Sequence, residues 1–420
     1  MTGTSAIDGT GSSATEGAST DGPVRRTHLS AAPPPTELPS EAPSPDAALE
    51  VAGPDVAAPD VAMVQLLDRH GLRVSDPTYV SSLTDADILA LYREMRLTRR
   101  FDREATNLQR QGELGLWASS LGQEAAQIGA AYALADGDFV VPSYREHGLA
   151  LARGVDPVVL LKMFRGVDYG SWDSAAHRFG GYTLVIGAQT LHAVGYAMGL
   201  QRDETGDAVL CCFGDGASSQ GDVNEAFTFA AVNNAPVVFF LQNNQWAISA
   251  PTTRQSRVPL YQRAAGFGFP GVRVDGNDAL AVHAVVTEAL ERARSGGGPT
   301  LVEAYTFRMG AHTTSDDPTR YRETAEEQYW RDRDPVDRVA AYLRSTGTLD
   351  DAGEAAIQAE GDELALRTRR GCLALVDPDV MTLYDHVLAE PGQAAGEDRD
   401  VMAELFDGDS DGPDQTDGRG

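Results

Sequence analysis

Two short stretches of this 420-residue chain have the residue types and spacing for chemistry. Gly214-Asp215-Gly216-Ala217 is followed about thirty residues later by Asn243-Asn244. The glycines let backbone N–H groups approach an anion at a helix N-terminus, where the helix dipole favours a diphosphate. Asp215 offers an anionic oxygen, Asn244 a neutral one, and the main-chain carbonyl of Trp246 a third. Together with two diphosphate oxygens and a water, they make the octahedron of hard oxygens that Mg²⁺ prefers. Gly-Asp-Gly alone is an ordinary turn; the paired Asn-Asn on a neighbouring strand makes it a candidate site.

A parallel sheet is needed to bring these residues together. The apolar run 208–213 reads as a buried strand leading into a helix over 220–233, and Pro236 opens a second strand over 237–242. Val272-Arg273-Val274 leads into a helix over 279–294, and Gly296-Gly297-Gly298 into a strand over 300–307. Strands alternating with helices imply parallel βαβ units, hence a three-layer α/β fold with a mostly parallel sheet and ligands at the carboxyl ends of its strands. Ahead of it, Thr84 and Asp87 fit an N-cap. Ile88, Leu91, Tyr92 and Met95 then recur at helical spacing, and Gly112 is the stop. Leu184-Val185-Ile186 reads by periodicity as strand core. After Asp334-Pro335 the pattern turns helical and charged.

Composition excludes several functions. The net charge of −28 argues against nucleic-acid and anionic-membrane binding. More than half of that charge sits in the two ends, residues 1–60 and 390–420. The first sixty residues hold nine of the 22 prolines. The expected organisation is therefore a disordered acidic segment 1–61, an α/β domain 62–334, a small helical C-terminal part 335–390 and a disordered acidic tail 391–420. Lys162 is the one lysine and lies in an apolar helical run, so no Gly-Lys-Ser/Thr phosphate loop is possible. Cys211, Cys212 and Cys372 fit neither a disulfide framework nor a metal spacing; the adjacent pair reads as buried strand thiols. There is no basic-then-apolar leader and no apolar stretch near membrane length, which makes a cytoplasmic protein the default.

The spacing of the two site stretches resembles the thiamine diphosphate fingerprint. Four more stretches are Leu121-Gly122-Gln123-Glu124-Ala125, Tyr144-Arg145-Glu146-His147-Gly148, Gly187-Ala188-Gln189, and the run from Gly310 through His312 to Arg322. With them, residues 83–391 resemble the alpha subunit of the two-subunit 2-oxoacid dehydrogenase decarboxylating component. The resemblance implies a thiamine diphosphate-binding fold, with Tyr144 and Arg145 on the diphosphate and Ile186 under the bent cofactor. It also implies cofactor contacts from Leu184, Gly214, Gly216, Ala217 and Ile248, and Mg²⁺ held by Asp215, Asn244 and the Trp246 carbonyl. His312 matches the active-site histidine that handles intermediates and meets the lipoyl group. With an ordinary pKa near 6.5 it would carry charge or shuttle a proton near neutrality. The site as a whole is expected to be cationic.

Other residues remain open at this stage. Arg308 and Arg320 suit either a substrate carboxylate or Asp316-Asp317, with ordering of their own loop preferred. His147 faces the cofactor or packs; His192 packs in a helix. Thr313 stands where mitochondrial relatives carry a regulatory phosphoserine. The glutamate that drives the cofactor's imino tautomer belongs, by the resemblance, to a beta subunit, and Glu124 takes a structural or channel role. Implied partners are therefore that beta subunit in an alpha2beta2 heterotetramer and a lipoyl-bearing acyltransferase, with no nucleic acid and no membrane. Ala247–Thr252 and the Thr313–Asp317 cluster lean to a branched-chain 2-oxoacid, Gly187-Ala188-Gln189 to pyruvate; acetoin is third. A non-enzymatic nucleotide-binding or assembly protein is the rival class, but no Gly-x-Gly-x-x-Gly follows a strand.

Overall fold

The computed structural model describes residues 63–168, 170, 172–384, 389–390 and 392–408. The segment expected to be disordered at the N-terminus lies outside them. Five parallel strands form one sheet: β1 (Phe139–Val141), β2 (Val209–Gly214), β3 (Val237–Asn243), β4 (Gly271–Asp275) and β5 (Thr300–Tyr305), in the order β1-β2-β3-β5-β4. The helices that matter here are α1 (Asp85–Arg110), α2 (Glu124–Ala133), α3 (Gln189–Arg202), α4 (Gly221–Asn233), α5 (Ala279–Arg294), α6 (Pro335–Ser345), α7 (Asp351–Leu373) and α8 (Gln393–Gly408).

Alternate strand residues feed two cores. Leu210, Cys212, Val238 and Phe240 face the core shared with α1, α2 and α5, while Val209, Cys211, Phe213, Val237 and Phe239 face the one under α3 and α4. This two-sided burial is why the strands read as continuous apolar runs, and it points the adjacent Cys211 and Cys212 to opposite faces. The expected layers, the 279–294 helix and the capping box are all present: Thr84 Oγ1 accepts from the Asp87 N–H, and Asp87 Oδ2 accepts from the Thr84 N–H.

Several expectations need correction. The expected helical C-terminal part packs directly into the main core. Val336, Val339, Leu343, Ile357 and Cys372 join the core of α1, α2 and the sheet. The tail read as disordered from 391 contains α8, where Val401, Met402, Leu405 and Phe406 recur at helical spacing. No strand forms at 184–186. Around Phe179 the chain bridges the free edge of β1 through the Arg178 carbonyl and the Gly180 N–H, then leaves the sheet, with Leu184 58 % and Val185 72 % exposed. His192 is helical but exposed, because α3 turns Ala193, Val194 and Ala197 inward instead. One contact had no sequence signal: Val64 pairs with Val274, and the N–H groups of Leu66 and Leu67 both donate to buried Asp278.

Candidate active site

In the parallel pairing of β2 with β3, Gly214 stands opposite Gln242, so Asp215 and Asn244 emerge from adjacent strand ends. After Gly214 the chain makes a short 3₁₀ turn over Gly216–Ser219 before α4 begins. Gly216 must be glycine, because a Cβ there would sit 2.8 Å from the Ala247 Cβ on the facing turn. That turn, Trp246–Pro251, is a two-rung antiparallel hairpin, with Gln245 and Ile248 at positive φ.

A cleft of about 220 Å³ opens at these strand ends, lined by Tyr144, Arg145, Ile186, Gly214, Asp215, Gly216, Ala217, Asn244, Trp246, Ile248 and His312. All the residues singled out from the sequence for cofactor or metal thus meet in one place, except Leu184, which is not among the lining residues. Gln123, Glu146, Gln189 and Gln242 also line it; the sequence reading gave them no role there. A signal existed for Gln242, since two residues before Asn244 on a strand is the same face.

Asp215 is 1 % exposed, and burial pushes its carboxyl above the usual range even though Gln255 Nε2 (2.9 Å) and Thr252 Oγ1 (3.2 Å) donate to it. A buried carboxylate served by neutral donors is the environment a cation would relieve. Among the described residues no group of three or more His, Cys, Asp and Glu is placed to hold a metal. A cation here would therefore rely on one carboxylate plus amide and carbonyl oxygens, a donor set that fits a hard divalent ion. The Trp246 carbonyl accepts from Arg308 Nη1 at 2.9 Å and keeps a second lone pair.

Arg308 is fully buried and ties the site to the following loop. It donates to the carbonyls of Trp246 and Ile248, and to Tyr321 Oη at 2.9 Å, which in turn donates to Asp316. Loop ordering, the preferred reading of this arginine, is thus its visible role; Arg320 is exposed. Arg145 donates to the carbonyls of Ser119 and His312 and lies 5.5 Å from the Tyr144 ring centre.

His312 departs from expectation. Burial first, then Arg145 and Arg308, push its pKa down to about 3, so the ring is neutral near pH 7. Its Nδ1 lies 3.2 Å from Arg308 Nη1 and 3.4 Å from Arg145 Nη2. Guanidinium nitrogens only donate, so Nδ1 is the acceptor and Nε2 carries the hydrogen. The site's positive charge belongs to the two arginines. His147 packs: it stacks on Trp117 at 4.2 Å, bonds to Tyr182 Oη and the Ala118 carbonyl, and is held neutral chiefly by burial. Glu124 is structural, paired with Arg99 and accepting the Gly122 N–H.

A parallel α/β sheet with Gly-Asp-Gly-Ala and Asn-Asn at adjacent strand ends, opening on a cleft that Arg145 and His312 also line, defines an α/β subunit with its cleft at the carboxyl ends of the strands. The chain belongs to the dehydrogenase E1 component family, which matches residues 92–364. It is 43% identical over 349 residues to the 3-methyl-2-oxobutanoate dehydrogenase subunit alpha of Mycobacterium tuberculosis, covering 82% of this chain and 95% of that one. It is 40% identical over 287 residues to the pyruvate dehydrogenase E1 component subunit alpha of Staphylococcus epidermidis (68% and 77% covered), and 39% to that of Staphylococcus aureus. These relatives are by name alpha subunits of 2-oxoacid dehydrogenases. No described helix is long and apolar enough to cross a membrane.

Proposed function

We propose that this chain is the alpha subunit of a branched-chain 2-oxoacid dehydrogenase, holding thiamine diphosphate through Mg²⁺ and passing the acyl group to a lipoyl-bearing acyltransferase. The observation that carries the reading is the meeting of Asp215, Asn244 and the Trp246 carbonyl with Arg145 and His312 in one cleft. The higher identity to the 3-methyl-2-oxobutanoate enzyme supports the branched-chain assignment.

When bound, the cofactor would supply a thiazolium carbanion equivalent, the nucleophile that a 2-oxo carbon requires. The protein's part is binding and proton placement. Asp215, Asn244 and the Trp246 carbonyl would hold the metal, and the remaining N–H groups of Arg145 suit the diphosphate. His312, with Nε2 protonated, is a hydrogen-bond donor to an anion or a developing oxyanion. The acid for the cofactor's pyrimidine is expected from a beta subunit, because the two carboxyl side chains on the cleft are both committed. Asp215 would serve the metal; Glu146 accepts from Ser143, Gln242 and the Arg145 N–H.

The test is co-purification with the beta subunit, followed by decarboxylation assays on 4-methyl-2-oxopentanoate and pyruvate. Preferred turnover of the branched substrate, and none by the chain alone, is expected. Preference for pyruvate would transfer the assignment to a pyruvate dehydrogenase, and turnover by the isolated chain would remove the beta subunit from the site.

A further inference from the structure

Three side-chain amides around the cleft are held at one end and left open at the other. Gln189 Nε2 donates to the Cys212 carbonyl at 3.0 Å and Gln242 Nε2 to Glu146 at 2.8 Å; both leave a buried carbonyl oxygen without a partner. Gln123 is the reverse case. The Trp246 N–H donates to Asn244 Oδ1 at 3.3 Å, and a main-chain donor cannot be reversed, so the Asn244 carboxamide has one orientation. Asn244 Nδ2 then donates to Gln123 Oε1 at 3.1 Å, which leaves Gln123 Nε2 as the open end, buried and unpartnered. Gln123 itself is 1 % exposed and lines the cleft.

The backbone delivers this residue with little freedom. Gly122 has φ +94, and a Cβ there would meet the Phe307 carbonyl at 2.4 Å. Its own carbonyl accepts from Thr306, and the Gln123 N–H donates to the Ser120 carbonyl at 2.9 Å. Gln123 is thus pinned against the end of β5, next to the proposed cation ligand Asn244 just beyond β3. A buried N–H₂ with no acceptor is costly and rare. Of the three amides, this is the one that offers hydrogens, so it suits an anion where Gln189 and Gln242 do not.

We propose that Gln123 is a positioning residue for Asn244 and a direct donor to the diphosphate: Oε1 keeps the Asn244 oxygen turned to the cation, and Nε2 meets a phosphate oxygen. The inference rests on the cofactor reading above and deepens it.

The full chain, purified with its beta subunit, is titrated calorimetrically with thiamine diphosphate at saturating Mg²⁺ and with Mg²⁺ at saturating thiamine diphosphate. Gln123→Met removes both functions and is expected to weaken both affinities about tenfold or more. Gln123→Glu keeps an oxygen for Asn244 Nδ2 but turns a carboxylate to the diphosphate. It is expected to lose about tenfold or more for thiamine diphosphate while staying within about twofold for Mg²⁺. This split is one that a merely structural residue would not produce. Wild-type binding in both variants overturns the inference, as does an equal loss of both affinities in Gln123→Glu. If Gln123→Met does not fold, Gln123→Glu decides alone by the same two readings. Failure of the wild-type protein to bind thiamine diphosphate with Mg²⁺ overturns the proposed function and this inference with it, so the two failures are separable.

Discussion

Around α1, arginines end on carboxylates: Arg93 on Glu360, Arg96 on Glu354, Arg99 on Glu124 and Asp334, Arg100 on Glu104 and Asp362. The apolar residues beneath them, Ile88, Leu91, Met95 and Phe101, are fully covered. At the cleft, Arg145 and the buried Arg308 end on main-chain carbonyls, the Tyr321 hydroxyl and a histidine ring, while Ile248 on the lining and Leu184 and Val185 next to Ile186 stand exposed. The first region is completed by its own chain; the second has apolar surface and positive charge still to be matched. Only the second has the surface composition of a place where something else binds.

The contrast can be broken most sharply in the α1 region. Glu124→Ala leaves Arg99 with Asp334 alone and should cost about 3–5 kcal/mol in denaturant unfolding, the expected range for removing one partner of a buried pair. Burial works against the Arg99 charge, but Glu124 and Asp334 outweigh it and hold the guanidinium ionised. Asp215→Ala should do the opposite. It should leave the unfolding free energy of the cofactor-free chain unchanged or higher, and weaken metal-dependent thiamine diphosphate binding by about 100-fold in calorimetry.

Two histidines sharpen the contrast further. Both have pKa values pushed from 6.5 to about 3, His147 mainly by burial and His312 by burial with Arg145 and Arg308, against a smaller pull from Asp316. Between pH 6.5 and about 3 the unfolded chain binds protons that the folded one does not. Their contribution to stability is therefore fully present above pH 6.5 and falls as pH drops through that window. In NMR titrations His147 should stay neutral from pH 5 to 8 with or without cofactor. His312 should begin to titrate there once a diphosphate anion offsets the two arginines; an unchanged His312 would refute this account. The smallest effect on the chain is expected from Val185→Ser, within about 0.5 kcal/mol in unfolding, although association with the beta subunit, measured by sedimentation, should weaken.

Much of this was legible in the sequence, because it depends on short-range pattern. Buried parallel strands show as apolar runs, and the Thr84–Asp87 pair as a cap. Of the candidate site residues, Asp215 and Asn244 stood out by type and spacing, whereas Ile186, Ile248 and His312 were named through the family resemblance; that they line one cleft is what the structure adds. What was hidden depends on contacts distant in sequence. The neutral state of His312 comes first from burial under the folded chain and then from Arg145, far along the sequence, and Arg308; the free end of Gln123 follows from a chain of hydrogen bonds that begins at Trp246. Leu184-Val185-Ile186 misled because an apolar run reads the same whether it enters a sheet or rims a cleft.

The pairing of β2 with β3, of β3 with β5, and of Val64 with Val274 also bears on how the chain acquires its site. Gln65 and Asp275, joined by a hydrogen bond, are 210 residues apart. Closing such loops precedes the contacts that reward it, so folding of this sheet should be slow compared with a helical bundle of similar stability. Asp215 and Asn244 lie beyond the ends of strands that must already be in register. The proposed cation site therefore requires β2 and β3 to be paired in register, and the appearance of Mg²⁺-dependent cofactor binding during refolding is expected to report on that pairing.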